Sequence, residues 1–457
     1  MAYIEVTSRR GRKEKHYYDA DTNRFQAVIT IHDQHYKDDL DEWQDVDESF
    51  VDDTTPGFNK KCDKTRHSIL MGNGGNRRWY PRRNVSTEYV DITGMQYWDG
   101  NSWRNLNLPT PVWMNNKTEW DMTNLYASVT NIWKRIKTEF ILKNSNAYTR
   151  LRFTISFTGL IYNSTTGELT STTDGLVWGY IDKPKAFCGA IPDEIIIPVT
   201  QTYDGTYIEW SVDTTDAIYP IYVDPTFTDG YGGNVDSAYD TFVWWEYPDD
   251  EQGSSLILYF RQLSGTLGDY NSPHALLKFD LTSLVGKTIG NANLYVHRYT
   301  SDTWWGQVYM YVNRIYSGNS AWTEERATWN YANEGTSTRW AGDVGSDGGD
   351  DAGCSSEGTD LSATKMGTYD LGVDNDDAEG TEYNIVLGLT DFALLVSGNY
   401  GVVGWGSTGY PGVWSSDYST TGWRPKLVVV YEGEETDINI NISPENSSQP
   451  GVKIYTP

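Results

Sequence analysis

The patterning of this chain predicts an all-β protein built from two β-sandwich domains, and three observations carry that expectation. Short apolar runs alternate with a period of two, as in FQAVITI, RLRFTISF and YIEWSV, the signature of half-buried strands. The 43 glycines punctuate these runs as turn signals, while helical spacing is scarce. Aromatic residues make up 14% of the 457, with 19 Trp and 33 Tyr, and large rings of this kind suit the core of a sandwich. The expected architecture is two jelly-roll-like sandwiches in tandem, residues 1–225 and 226–432, with a tail strand at 433–457.

Taken in order, the chain opens with a basic cluster of Arg9, Arg10, Arg12, Lys13 and Lys15. It is a solvated terminus, or it docks on an acidic neighbour. Phe25, Ala27, Ile29 and Ile31 then alternate as a strand. Residues 51–122 read poorly. Arg77-Arg78 and Arg82-Arg83 flank Trp79-Tyr80, an interleaving that can stack on nucleic-acid bases. Residues 1–225, however, hold 25 Lys+Arg against 31 Asp+Glu, so the expectation is a hairpin packing those rings, with no nucleic-acid partner. Between Leu125 and Ile141 two periods compete. Val129, Ile132, Trp133 and Ile136 fit a helix, whereas residues 136–142 fit a strand. GLVWGYI and EIIIPVT are further strands, and the run from Ala217 to Pro225 closes the first domain.

In the second domain Leu277, Phe279 and Leu281 alternate with Lys278 and Asp280. Gly286 marks a turn, and Ala292, Leu294 and Val296 form the next strand. Val308 to Ile315, Tyr383 to Leu387 and Gly401 to Trp405 add others. A Gly/Asp/Ser-rich stretch from Tyr331 to Met366 reads as a long loop.

Several of these residues together resemble the DNRLRE domain, a β-sandwich module of bacterial, archaeal and phage surface proteins. They are Leu276-Leu277-Lys278-Phe279-Asp280-Leu281, Ala292-Asn293-Leu294, Trp322-Thr323-Glu324, Ala327-Thr328-Trp329-Asn330, Trp414-Ser415-Ser416-Asp417 and Arg424 to Tyr431. The resemblance covers Asp236 to Tyr431 and implies a scaffold and display module. It places Phe279, Trp322 and Trp329 in the core and implies no catalytic residue. His35-Tyr36-Lys37-Asp38, Trp43 and Asp45-Val46-Asp47 are similar to the opening segment of wall-associated and phage surface proteins that carry such domains.

Charge and motifs narrow the function classes. Residues 226–457 hold 11 Lys+Arg against 32 Asp+Glu, a surface that repels nucleic acid and anionic membrane. No run reaches membrane-spanning length. Cys62, Cys188 and Cys354 are odd in number and far apart, which argues against a disulfide framework. MAYIEVTSRRGRKEKH has charge but no apolar stretch of an export signal. A virion protein, exposed only after lysis, reconciles that with a surface-type module. No Gly-x-Ser-x-Gly elbow is present. Gly286-Lys287-Thr288 mimics the end of a phosphate loop, but it sits between strands and lacks the first glycine. His32 and His35 are spaced to opposite faces of any strand.

Four features remain as candidate sites. Asp374, Asp376 and Asp377 cluster in DNDDAEG; such oxygens can hold Ca²⁺, although the spacing is not that of an EF-hand. The adjacent pairs Trp244-Trp245 and Trp304-Trp305 must each turn one ring away from the core if they lie in strands, leaving it for a neighbouring domain, a subunit or a sugar. Ile438, Ile440 and Ile442 alternate with polar residues in the tail, a one-faced strand that needs a sheet edge, either in its own N-terminal domain or in the next subunit. The commitment is a non-enzymatic structural or attachment protein of a phage virion or cell-surface filament. It would assemble head to tail or with other virion proteins, with a host glycan as a further candidate partner for its surface. The alternative is a secreted carbohydrate-active enzyme or carbohydrate-binding module.

Overall fold

The strand Arg24–Thr30 pairs antiparallel with Lys426–Glu432 along seven residues, from Arg24 opposite Glu432 to Thr30 opposite Lys426. The beginning of the chain is thereby built into the same sheet as residues near position 430. In this computed structural model the described residues are 3–432 apart from 39, 83–84, 133–134, 147, 189–194, 216, 230–238, 246–247, 254, 261–272, 300–306, 325, 344–352, 374–376 and 407–411. The architecture is all β, and the chain divides into two units, residues 1–34 with 237–457, and residues 35–236.

This division differs from the tandem cut at 225. The physical reason lies in the pairing just described. Phe25, Ala27 and Ile29 face the same core as Leu427, Val429 and Tyr431, and each large apolar side chain buried there contributes about 1.5–3 kcal/mol. Residues 1–34 therefore belong with the distal sandwich. At the other end, Thr226–Asp229 lies past the expected boundary, yet it pairs with Arg135–Leu142 and with Val177–Ile181 of the second unit.

The first unit has, among the described residues, a sheet in the order Ile4–Glu5, Glu14–Asp19, Arg24–Thr30, Lys426–Glu432, Ile289–His297 and Glu382–Val386. A second sheet runs Tyr239–Val243, His274–Lys278, Val402–Gly406, Gln307–Arg314 and Gly367–Val373. Their inner faces share one core, which includes Phe279. Trp322 and Trp329 are buried in an adjoining cluster with Trp340, Cys354 and Leu361. The long stretch after Tyr331 is thus tied into the core at both ends, with the Trp340 indole donating to the Thr328 carbonyl at 3.0 Å. Gly286 does sit at a turn between elements, with φ +78°, after the short 3₁₀ turn Thr282–Leu284.

One α-helix among the described residues, Leu389–Gly398, was not anticipated. It buries Phe392, Leu395 and Val396, spaced three and four apart, so that one stripe faces the core. Asn399 ends it in the left-handed conformation, its N–H donating to the Leu395 carbonyl.

The second unit stacks a nine-stranded and an eleven-stranded sheet on a core that includes Trp79, Trp120, Phe140, Phe153 and Trp210. The competing periods near residue 130 resolve as a hairpin, Leu125–Ile132 with Arg135–Leu142. Residues 51–122 supply strands rather than a nucleic-acid arm: Arg77–Tyr80 alternates, with Arg77 and Trp79 inward and Arg78 and Tyr80 toward solvent. His35–Lys37 and Trp43–Asp45 form a small hairpin of their own.

Candidate functional site

The expected tryptophan pairs lead to an aromatic cluster in the first unit, though not as free platforms. Trp244 is buried with Phe242, Ile257, Tyr259 and Trp414, and Trp245 packs half-buried on the neighbouring core cluster. Trp304 and Trp305 lie outside the described residues, as do Asp374, Asp376, Ile438, Ile440 and Ile442. Asp377 is half-buried, and its charge helps to raise the pKa of Tyr369 and Tyr383 beyond the effect of their burial. Among the described residues no group of three or more His, Cys, Asp or Glu is arranged to hold a metal.

Over the buried Trp414 the structure builds a ledge that sequence reading missed. Trp414 and Tyr418 stack with ring centroids 3.5 Å apart at 13°, and Tyr418 and Trp423 continue the stack at 5.8 Å and 13°. Tyr299 meets Trp414 edge-on at 4.8 Å. Tyr299, Tyr418 and Trp423 are each half-buried, whereas Trp414 is buried.

Local chemistry fixes this ledge. Strand Gly412–Trp414 pairs with Ile257–Tyr259, and the chain then turns at Ser415-Ser416-Asp417. The buried Asp240 carboxylate accepts from the Ser416 N–H at 2.6 Å and from its hydroxyl at 2.5 Å. Two charge-assisted bonds on one buried carboxylate hold such a turn firmly. The buried Arg424 donates from Nε to the Tyr418 carbonyl at 2.6 Å, closing the loop that carries both outer rings. Beneath Trp423 lies Gly380, at φ +81°; a β-carbon there would come within 2.4 Å of the indole. Only glycine gives the ring this seat.

Polar groups surround the rings. Burial raises the Tyr418 phenol, and the charge of the exposed Glu379 raises it further. Burial lowers His297, whose Nε2 lies 3.4 Å from the Glu382 carboxylate. Lys426 pairs with the same carboxylate at 3.1 Å. A ring surface with carboxylate and hydroxyl groups nearby is suited to a sugar, which has one apolar ring face and equatorial hydroxyls. The signal that could have found it is the spacing of Trp414, Tyr418 and Trp423 around the Ser-Ser-Asp turn.

In the second unit an open groove of about 700 Å³ is lined by Asp53, Lys61, Asp63, Ser68 and Tyr80. Cys62 also borders it, but burial pushes its thiol up to about 12, far from the thiolate a nucleophile needs.

The model of carbohydrate-binding module family 96 matches residues 234–342. That stretch contains Asp240, Trp244 and Tyr299, while Trp414, Tyr418 and Trp423 lie beyond it. No curated protein matches the chain. Among solved structures, similarity is found to PNGF-II, at 10% identity and TM-score 0.18, covering 75% of this chain and 67% of that one. A second is the N-terminal domain of the Streptococcus gordonii adhesin Sgo0707, at 7% identity and TM-score 0.14, covering 94% and 86%. Likenesses at these TM-scores carry no argument about fold or function.

Proposed function

We propose that this protein is a carbohydrate-binding protein of the extracellular space or a cell surface, and that its first unit holds glycan on the ledge of Tyr299, Tyr418 and Trp423. The family match over residues 234–342 carries this reading. The ledge supports it, because sugar–aromatic stacking uses ring surface beside hydrogen-bonding groups. This is the second of the two expectations drawn from the sequence. The proposed role is binding rather than catalysis, and the sugar-release measurement below tests that part.

The test is a glycan array followed by titration of the best ligand. Trp423→Ala removes the outer ring at a half-exposed position and should weaken binding about tenfold or more while the melting temperature stays nearly constant. Gly380→Ala should act in the same direction by displacing the indole. A chain that binds no glycan, or a Trp423→Ala variant that binds as tightly as the parent, would sink the reading. Sugar release from the bound polymer would overturn the non-catalytic part.

A further inference from the structure

The outer face of the nine-stranded sheet in the second unit carries a second set of rings, arranged around arginines. On strand Arg150–Thr158 the inward residues are Leu151, Phe153 and Ile155, so Arg150, Arg152 and Thr154 point outward. Neighbouring strands place Gln96 opposite Arg152 on one side and Glu209 opposite it on the other. Trp98 and Trp103 face each other across the strand pair Tyr89–Trp98 and Trp103–Asn105. All these side chains except Asn105 are half-buried, and Asn105 is exposed.

The two arginines are treated differently. Glu209 reaches past its direct neighbour and pairs with Arg150, whose Nη2 lies 2.5 Å from Oε1. Arg152 keeps no carboxylate within ion-pair distance among the described residues. Its Nε donates to Gln96 Oε1 at 2.7 Å, and Gln96 is itself oriented by donating to Asn105 at 3.0 Å. The Arg152 guanidinium stands 4.3 Å from the centroid of Trp103 and 4.0 Å from that of Tyr207. Asp204 is close enough to feel its charge, but accepts instead from the N–H groups of Thr206 and Tyr207 in its own turn. Two rings and one amide therefore fix a guanidinium whose terminal N–H groups have no acceptor among the described residues. Fixing a planar fork in advance lowers the entropy lost when it grips an oxyanion.

We propose that this face is a second saccharide site, in the second unit, for an acidic polysaccharide. Arg152 takes its carboxylate or sulfate group, and Trp98, Trp103 and Tyr207 flank the sugar. The charge balance sharpens the inference. Residues 35–236 hold 19 Lys+Arg against 28 Asp+Glu, so diffuse attraction does not bring a polyanion to this unit, and retention has to come from a built contact.

The test is affinity electrophoresis of the full chain in gels containing dextran sulfate, polygalacturonate or unmodified dextran. Retardation by one or both anionic polymers and not by dextran is expected, and the polymer that retards tells sulfate from carboxylate. Arg152→Gln should weaken that retention about tenfold, and Arg152→Lys should weaken it in the same direction because it loses the fork, with melting unchanged in both. Trp423→Ala should leave it intact, which separates this site from the ledge. Equal mobility in all three gels, equal retention by dextran, or retention unaffected in Arg152→Gln would overturn the proposal.

Discussion

Single residues show where this fold concentrates its stability. Trp329 is fully buried, and its ring passes so close to Gly353 that a β-carbon there would come within 2.4 Å. Trp329→Ala leaves a large void and should destabilise the first unit by about 3–5 kcal/mol, read as a lower urea midpoint; a loss below about 1 kcal/mol would place the ring outside the core. His274 lies against the same tryptophan and donates from Nδ1 to the Gly353 carbonyl at 2.8 Å. Burial holds its pKa down at about 4, from 6.5. The folded chain thus refuses a proton that the unfolded chain accepts between pH 6.5 and about 4. Stability falls as pH drops through that window, and the contribution is fully present above it. The share due to His274 is on the order of 3 kcal/mol across the whole window. His32, also lowered by burial, acts in the same sense. Urea melts at pH 7 and pH 4.5 should therefore differ less in His274→Gln than in the parent; an equal difference in both would show that His274 takes up its proton in the fold.

At the scale of elements, strand Arg24–Thr30 decides which part of the chain folds as a piece. Without residues 1–34, strand Lys426–Glu432 loses its seven-residue partner, and an unpaired edge with an apolar face invites aggregation. A fragment of residues 237–432 should show no cooperative melt. The same fragment with residues 1–34 joined through a flexible linker should regain one. A cooperative transition in the shorter fragment would mean that the first strand is an ornament of the sheet rather than part of it.

For the whole molecule, the remaining question is assembly. Ile438, Ile440 and Ile442 alternate with polar residues in the sequence, and we propose that this run pairs as a strand with a sheet edge of the next copy, a head-to-tail contact that makes rings or filaments. Light scattering should give a mass above that of one chain for the full protein and a single-chain mass after deletion of residues 436–457. A full-length monomer, or an oligomer that survives the deletion, removes the linking role.

The all-β class was legible because alternation is local: a strand with one wet face writes its period into consecutive residues, as in Phe25, Ala27 and Ile29 or Leu151, Phe153 and Ile155. The same locality marked Phe279 as inward, in step with Leu277 and Leu281, whereas Trp322 and Trp329 were expected in the core only from the resemblance of their motifs. Even the helix Leu389–Gly398 left a trace, in the spacing of Phe392, Leu395 and Val396. What the chain does not write locally is which strand lies beside which. Arg24–Thr30 and Lys426–Glu432 lie some 400 residues apart, and any alternating strand can offer its edge to any other. The division into units therefore waited for the pairing. So did both candidate sites. Trp423 is unremarkable until Gly380 and Arg424 seat it on Tyr418, and Arg152 looks like any outward arginine until the register gives Glu209 to Arg150 and leaves Arg152 between two rings.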